Sequence, residues 1–538
     1  MALRLPILVF LLVFCFAAVG QGYNQVIDVQ DYTFILTVND GSDKLQGEAF
    51  ISFKFKQHAD SVLLDLKNVD DKGKGMKVFS IEEKRHPSTY QKSFRQTRDH
   101  LIIYDTANPQ DRRFYVITYE GVPADGLIIS KNKYGHRGFF GDNWPNRAHN
   151  WLPCVDDPSD KATVEFIVSA PAHYTVVANG ALQHEEMLPE GMKLTRWRES
   201  VPLSPKVMVV GIADFAVDHP GDVDGIPVYN YVYPEDSIAG FRSYANALRI
   251  LPFYIQHIGP YPFEKCGNVQ SKTRFGGLEN ASAIFYYENS VTSPGVESLM
   301  AHEIAHQWFG DAVTETAWRH LWLSEGFATY MTHCYLDSRY GADTLKRGME
   351  KDRATVIAFE KKRLTPVVDS TVKDDYMTLL NPNSYQKGGW VLHMLRRKIG
   401  DSLFWKAIST YYKTYRNGNA STEDFEKIAG TASGQDLHSF FQQWLYTPGH
   451  PKVRLEWHYD DANNALFITT TQLQPISFEF PLELSIDGKP YTIQLTAKTN
   501  QVRIPLIAEP TTIVPDPNVN LLAEFELPSG ATPHPTTN

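Results

Sequence analysis

Cysteine is scarce in this chain. Four occur in 538 residues, and one of them, Cys15, lies in an apolar N-terminal run. The other three, Cys154, Cys266 and Cys334, allow at most one bridge with a thiol left over, so no disulfide framework holds the fold. None belongs to a Cys/His cluster, which argues against a thiolate metal site. They read as core-packing residues. An excess of positive charge is missing too. Lys and Arg number 52 against 62 Asp and Glu, and the net charge of −10 argues against nucleic acid as a partner. Long apolar runs are absent after residue 19, so no stable membrane insertion is expected. No internal repeat is visible.

The one apolar run, Leu8–Val19, reads as a secretory leader. Arg4 supplies the positive start, and Ala18-Val19-Gly20 resembles a small-residue cleavage site before Gln21. Residues 1–20 are therefore expected to be a cleaved signal peptide of a secreted or periplasmic protein. An uncleaved anchor is the alternative, for which the run is short.

What is present suits large cores: 43% of residues are hydrophobic and 21% charged. Length suggests three or four domains. Residues 21–215 read as an antiparallel β domain. Tyr32, Phe34, Leu36 and Val38 alternate with Thr33, Ile35 and Thr37, and similar runs surround Phe53 and Val116. Residues 216–450 read as mainly helical, with helices expected over Ile238–Ile258, Pro294–Phe309, Leu321–Tyr340 and Tyr385–Ile399. Three shorter ones follow, at Leu403–Tyr415, Thr422–Gly430 and Leu437–Leu445. Residues 451–527 return to regularly spaced strands, as in a small β-sandwich. The Pro- and Thr-rich 528–538 read as a mobile tail. The fold class is multidomain α+β.

The chemistry concentrates in the helical part. His302-Glu303-Ile304-Ala305-His306 places two histidines at i and i+4, on one face of a helix, where two imidazoles can bind one zinc ion. Glu325 follows His306 after 18 intervening residues and supplies a third ligand. The fourth position of such a site stays open for water. Glu303 is then placed to take a proton from that water. Two histidines on a helix can also be polar surface residues, a reading that the downstream motifs disfavour.

Upstream lies Gly276-Gly277-Leu278-Glu279-Asn280 and downstream Tyr385-Gln386-Lys387-Gly388. Here the chain resembles the aminopeptidase N-like zinc metallopeptidases, the gluzincin family that includes the leukotriene hydrolase. The family pattern runs Gly-x-Met-Glu-Asn, then the His-Glu-x-x-His motif with its distant Glu, then a Tyr before Lys-Gly. Pro153-Cys154-Val155-Asp156-Asp157-Pro158, Gln307-Trp308-Phe309-Gly310 and Trp322–Ala328 match as well.

The resemblance implies a thermolysin-like catalytic domain, one zinc per chain, and peptide substrates with a free N-terminus. It implies that Glu279 binds the substrate α-amine beside Gly276 and Gly277, and that Tyr385 donates to the oxyanion. The resemblance is not complete. Leu278 replaces Met, Asp311 stands where Asn is common, and Ala281-Ser282 stands where Trp-Gly is common. A second amine-binding Glu or Gln is missing upstream of the Pro-Cys segment, with Asp142 as the stand-in. Asn419-Ala420-Ser421 offers a surface glycosylation triplet.

The expected function is a zinc aminopeptidase. The alternatives are an endopeptidase or epoxide hydrolase on the same scaffold, or a silent peptide-binding protein. The small C-terminal β region, in place of a helical roof, implies an open cleft that accepts long peptides. Long peptides should then be processed faster than dipeptide analogues; equal or slower rates would contradict an open cleft.

Overall fold

A computed structural model describes residues 26–527. The leader reading for 1–20 and the tail reading for 528–538 lie outside them. Among the described residues, no helix is long and apolar enough to cross a membrane.

The N-terminal part is β throughout. Eight strands form one sheet, with Ile27–Asn39, Ser42–Phe55, Arg112–Val122 and Ala162–Pro171 at its centre. The period-two pattern is obeyed: Tyr32, Phe34, Leu36 and Val38 are buried, as are Tyr115, Ile117 and Tyr119. The sheet is not wholly antiparallel. Ile27–Asn39 and Ala162–Pro171 run parallel, with Phe34 opposite Phe166 and their rings 5.5 Å apart. Smaller three- and four-stranded sheets complete this part.

The expectation of helix from residue 216 needs correction. A five-stranded sheet over 216–287 comes first, and the earliest α-helix starts at Ser237. Its strand Cys266–Ser271 is buried at every position although Asn268, Gln270 and Ser271 are polar. Those side chains are satisfied internally: Asn268 donates to Asn230 (3.1 Å) and Gln270 to Asp236 (2.6 Å). A strand buried on both faces and partly polar shows no alternation to read. The span 238–258 is two helices, Ser237–Tyr244 and Ala247–His257.

The 19-residue helix Ala342–Glu360 lies between the helices that apolar periodicity marks. Its buried stripe is Met349, Asp352, Val356 and Glu360, spaced three and four apart. Half of that stripe is acidic, so apolar periodicity is lost. Asp352 pairs with His333 and Glu360 with Lys387, each at 2.7 Å. The C-terminal strands lie where expected, in a four-stranded and a three-stranded sheet. Cys154, Cys266 and Cys334 are free and buried. Asn419 is not a free surface amide, since it donates to the carbonyl of Pro158 at 2.9 Å.

One buried histidine joins the helical part to the C-terminal strands. His393 Nε2 donates to the carbonyl of Val519 (3.1 Å), so Nδ1 of the neutral ring accepts from Tyr330 (3.1 Å). Burial, then the charge of Arg397, pulls its pKa from 6.5 to about 3. The unfolded chain protonates this ring near pH 6.5 and the folded chain does not, so stability present above that pH is lost as the pH falls towards 3. Thermal unfolding at pH 7 and pH 5 should show His393→Gln losing less stability on acidification than the parent, by up to about 2 kcal/mol. Equal losses would contradict the buried neutral ring.

Candidate metal and peptide site

The helix Val296–His306 carries Met300, Ala301, Ile304 and Ala305 into the core. It begins at Val296, two residues later than the expected start at Pro294. His302 and His306 project from one side, and Glu325 arrives in the first turn of the second helix, Trp322–Tyr340. Gly310 turns the chain between them with φ +122°. A Cβ there would overlap Ser324, which stands against His306. The Trp322–Tyr340 helix also crosses Gly388–Ile399 where Gly326 meets Gly388. A Cβ on Gly326 would come within 2.8 Å of the Gly388 Cα. This close crossing carries the segment of Tyr385 to the Glu325 end of the site.

Three donor atoms converge. His302 Nε2 and His306 Nε2 are 3.2 Å apart, and Glu325 Oε2 lies 3.4 and 3.2 Å from them. A tetrahedral zinc with ligands at about 2.0–2.1 Å needs donors about 3.3 Å apart. His306 Nδ1 faces the carbonyl of Phe309 (3.1 Å), to which it must donate, and that leaves Nε2 as a lone pair. Glu325 Oε2 has no hydrogen-bond partner. Lone pairs thus meet across a buried space that a cation would satisfy, and the donor set fits zinc. Burial opposes charge on His306, yet the carboxylates of Glu325 and Glu279 draw a positive charge to its Nε2, which a proton or a bound cation can supply. The site calls for positive charge.

Glu303 and Glu279 flank the triad, and with His306 each offers a ligand atom within 4.8 Å of the others. Burial, followed by the neighbouring acids, raises the Glu303 pKa well above the carboxylate range. Gly277 lies over the Glu303 side chain so closely that a Cβ would overlap its carboxylate. Gly276 faces open space, with Leu299 at 3.8 Å from where its Cβ would be. Glu279 is 4% exposed, and its Oε1 has no partner. Its backbone carbonyl is held by Gln307 Nε2 at 2.7 Å. Gln307 also donates to Asp311 at 2.9 Å. Burial, then Glu279, raises the Asp311 pKa well above its ordinary value. That shift favours the neutral form, which is closer in charge to the Asn common at this position.

Tyr385 sits in a π-turn, Asn383–Lys387, and its ring lies parallel to that of His302 at 6.1 Å. Burial, then Glu325 and Glu279, pushes its phenol well above its usual pKa, so it keeps its proton as a donor. These groups line a cleft of about 300 Å³. Asp142 does not line it. Its carboxylate is engaged by Arg147 and by the backbone amide of Arg274 (3.0 Å), so it is committed to holding that loop. Trp144, two residues on, lines the cleft instead, with Phe275, Leu299 and Leu380. No spacing pattern marks these four, because they come from separate segments.

Comparisons with known proteins find matches over both the N-terminal β part and the helical part. The peptidase family M1 domain matches residues 242–444, and the peptidase M1 N-terminal domain matches residues 29–205. Aminopeptidase M1 of Arabidopsis thaliana is 28% identical over 57% of this chain and 37% of its own length. Probable aminopeptidase 2 of Sulfurisphaera tokodaii is 27% identical over 72% of this chain and 52% of its own. Tricorn protease-interacting factor F2 of Thermoplasma acidophilum is 29% identical over 61% and 43%. The chain thus spans about half the length of the curated relatives it matches.

Gly277→Ala is expected to displace the Glu303 carboxylate while leaving metal uptake at the parental level. A crystal structure of the variant together with elemental analysis checks both; an unmoved Glu303 would contradict the close packing.

Proposed function

Because this chain belongs to peptidase family M1, we propose that it is a zinc-dependent aminopeptidase that removes N-terminal residues from peptides. The observation that carries this reading is the unpartnered Glu279 oxygen, buried beside three convergent donor atoms.

His302, His306 and Glu325 would hold the zinc. When bound, the ion supplies Lewis-acid polarisation of the scissile carbonyl and of the attacking water. Glu303 takes the proton of that water and passes it to the leaving amine. Tyr385 donates to the oxyanion as negative charge grows on the carbonyl oxygen. Glu279 pairs with the α-ammonium, so the bond cut is the one next to a free N-terminus. With Asp142 bound to Arg147, amine recognition rests on Glu279. The apolar side chains of Trp144, Phe275, Leu299 and Leu380 exclude water from the rest of the cleft.

Glu303→Gln is expected to retain one zinc per chain while kcat on an aminoacyl amide falls by at least about a hundredfold. N-acetylation of the same substrate should abolish cleavage by the parent. An active, zinc-loaded Gln variant would remove Glu303 as the base, and efficient cleavage of acetylated peptides would favour an endopeptidase.

A further inference from the structure

Lys387 has no place in the chemistry above. It follows Tyr385 within one turn, yet it does not line the cleft and is fully buried. Its Nζ donates to Glu360 Oε1 (2.7 Å) and to the carbonyl of Gly449 (2.7 Å). The other Glu360 oxygen meets His450 Nδ1. His450 Nε2 reaches Glu524 Oε1 at 2.9 Å, on the strand Glu524–Glu526. Lys387, Glu360 and His450 are each at least 93% buried. A continuous line of charged hydrogen bonds therefore runs from the C-terminal sheet to the turn that carries Tyr385.

That turn needs holding. Its Lys387 amide donates five residues back, to Pro382 (2.9 Å), in place of the α-helical bond. A π-turn is less favourable than the α-helix that continues it, and such turns gather at functional sites. Its near end is tied by Asn383, which donates to the carbonyl of Thr365 at 2.7 Å. Its far end is tied by Lys387, the one charged side chain of the turn. Buried ion pairs contribute little net stability, because desolvation offsets the attraction. Their fixed geometry is what an apolar side chain could not supply.

We propose that Lys387, Glu360 and His450 are positioning residues that hold Tyr385 at its donor position, coupling the oxyanion site to the C-terminal sheet. This rests on the reading of Tyr385 as the oxyanion donor. A misplacement of about 1 Å can cost about a hundredfold in rate.

The test is a double-mutant cycle in the full chain, with zinc content, kcat and KM read for every variant. Glu360→Gln and the milder His450→Gln are each made with Tyr385 intact and in Tyr385→Phe. With Tyr385 present, each should lower kcat by about tenfold or more, leaving KM and zinc unchanged. In Tyr385→Phe, which has already lost the donor, the same changes should have little further effect. An unaltered kcat in folded Glu360→Gln and His450→Gln, or the same loss in both backgrounds, would overturn the proposal. If Tyr385→Phe itself were fully active, the oxyanion assignment would fall, and with it the coupling. Should Glu360→Gln not fold, His450→Gln alone decides.

Discussion

Everything in the site depends on electron-rich atoms being held where they repel one another. Two imidazole nitrogens and a carboxylate oxygen meet at 3.2–3.4 Å, and two further carboxylates stand close by, all largely buried except His302, which faces the cleft. Such a cluster is costly to assemble unless a cation enters it. The surrounding architecture makes assembly unavoidable. Gly310 leaves room for Ser324 against His306, the Gly326–Gly388 crossing draws Tyr385 inward, and Gly277 presses on Glu303. Each of these glycines is set by a close approach that a side chain would block.

The second determinant is the charge around the cluster. Lys206, from the N-terminal part, is buried against Glu315 at 2.6 Å, and Glu279 adds to the field that keeps it charged. Asp311 accepts from Gln307, and burial with the charge of Glu279 raises its pKa, which opposes a further negative charge beside the site. Beside the triad, Glu279 brings to the cleft wall a fully buried carboxylate oxygen that has no hydrogen-bond partner among the described residues. In the proposed reading, that unpaired oxygen is what the α-ammonium of a substrate would meet.

Much of this was legible in the chain. His302, Glu303, His306 and Glu325 could be read because a helix face and a fixed spacing leave a local mark. The strands around Tyr32 and Val116 were legible through their alternation. What could not be read has physical reasons. The helix Ala342–Glu360 hides because Asp352 and Glu360 occupy its inward face and find cationic or imidazole partners only in the fold. The strand Cys266–Ser271 hides because its buried amides are satisfied by distant residues. Asp142 was read as facing the substrate, yet it is turned to Arg147, while Trp144 takes the cleft wall. Orientation within a loop is decided by partners that no short segment contains.

The central claim is that three side chains from two helices form one zinc site. X-ray absorption at the zinc edge, with elemental analysis of the purified protein, tests it most directly. One zinc per chain is predicted, bound by nitrogen and oxygen at about 2.0–2.1 Å with no sulfur, and lost in His306→Ala. Sulfur in the coordination shell, or stoichiometric zinc persisting in His306→Ala, would contradict the account.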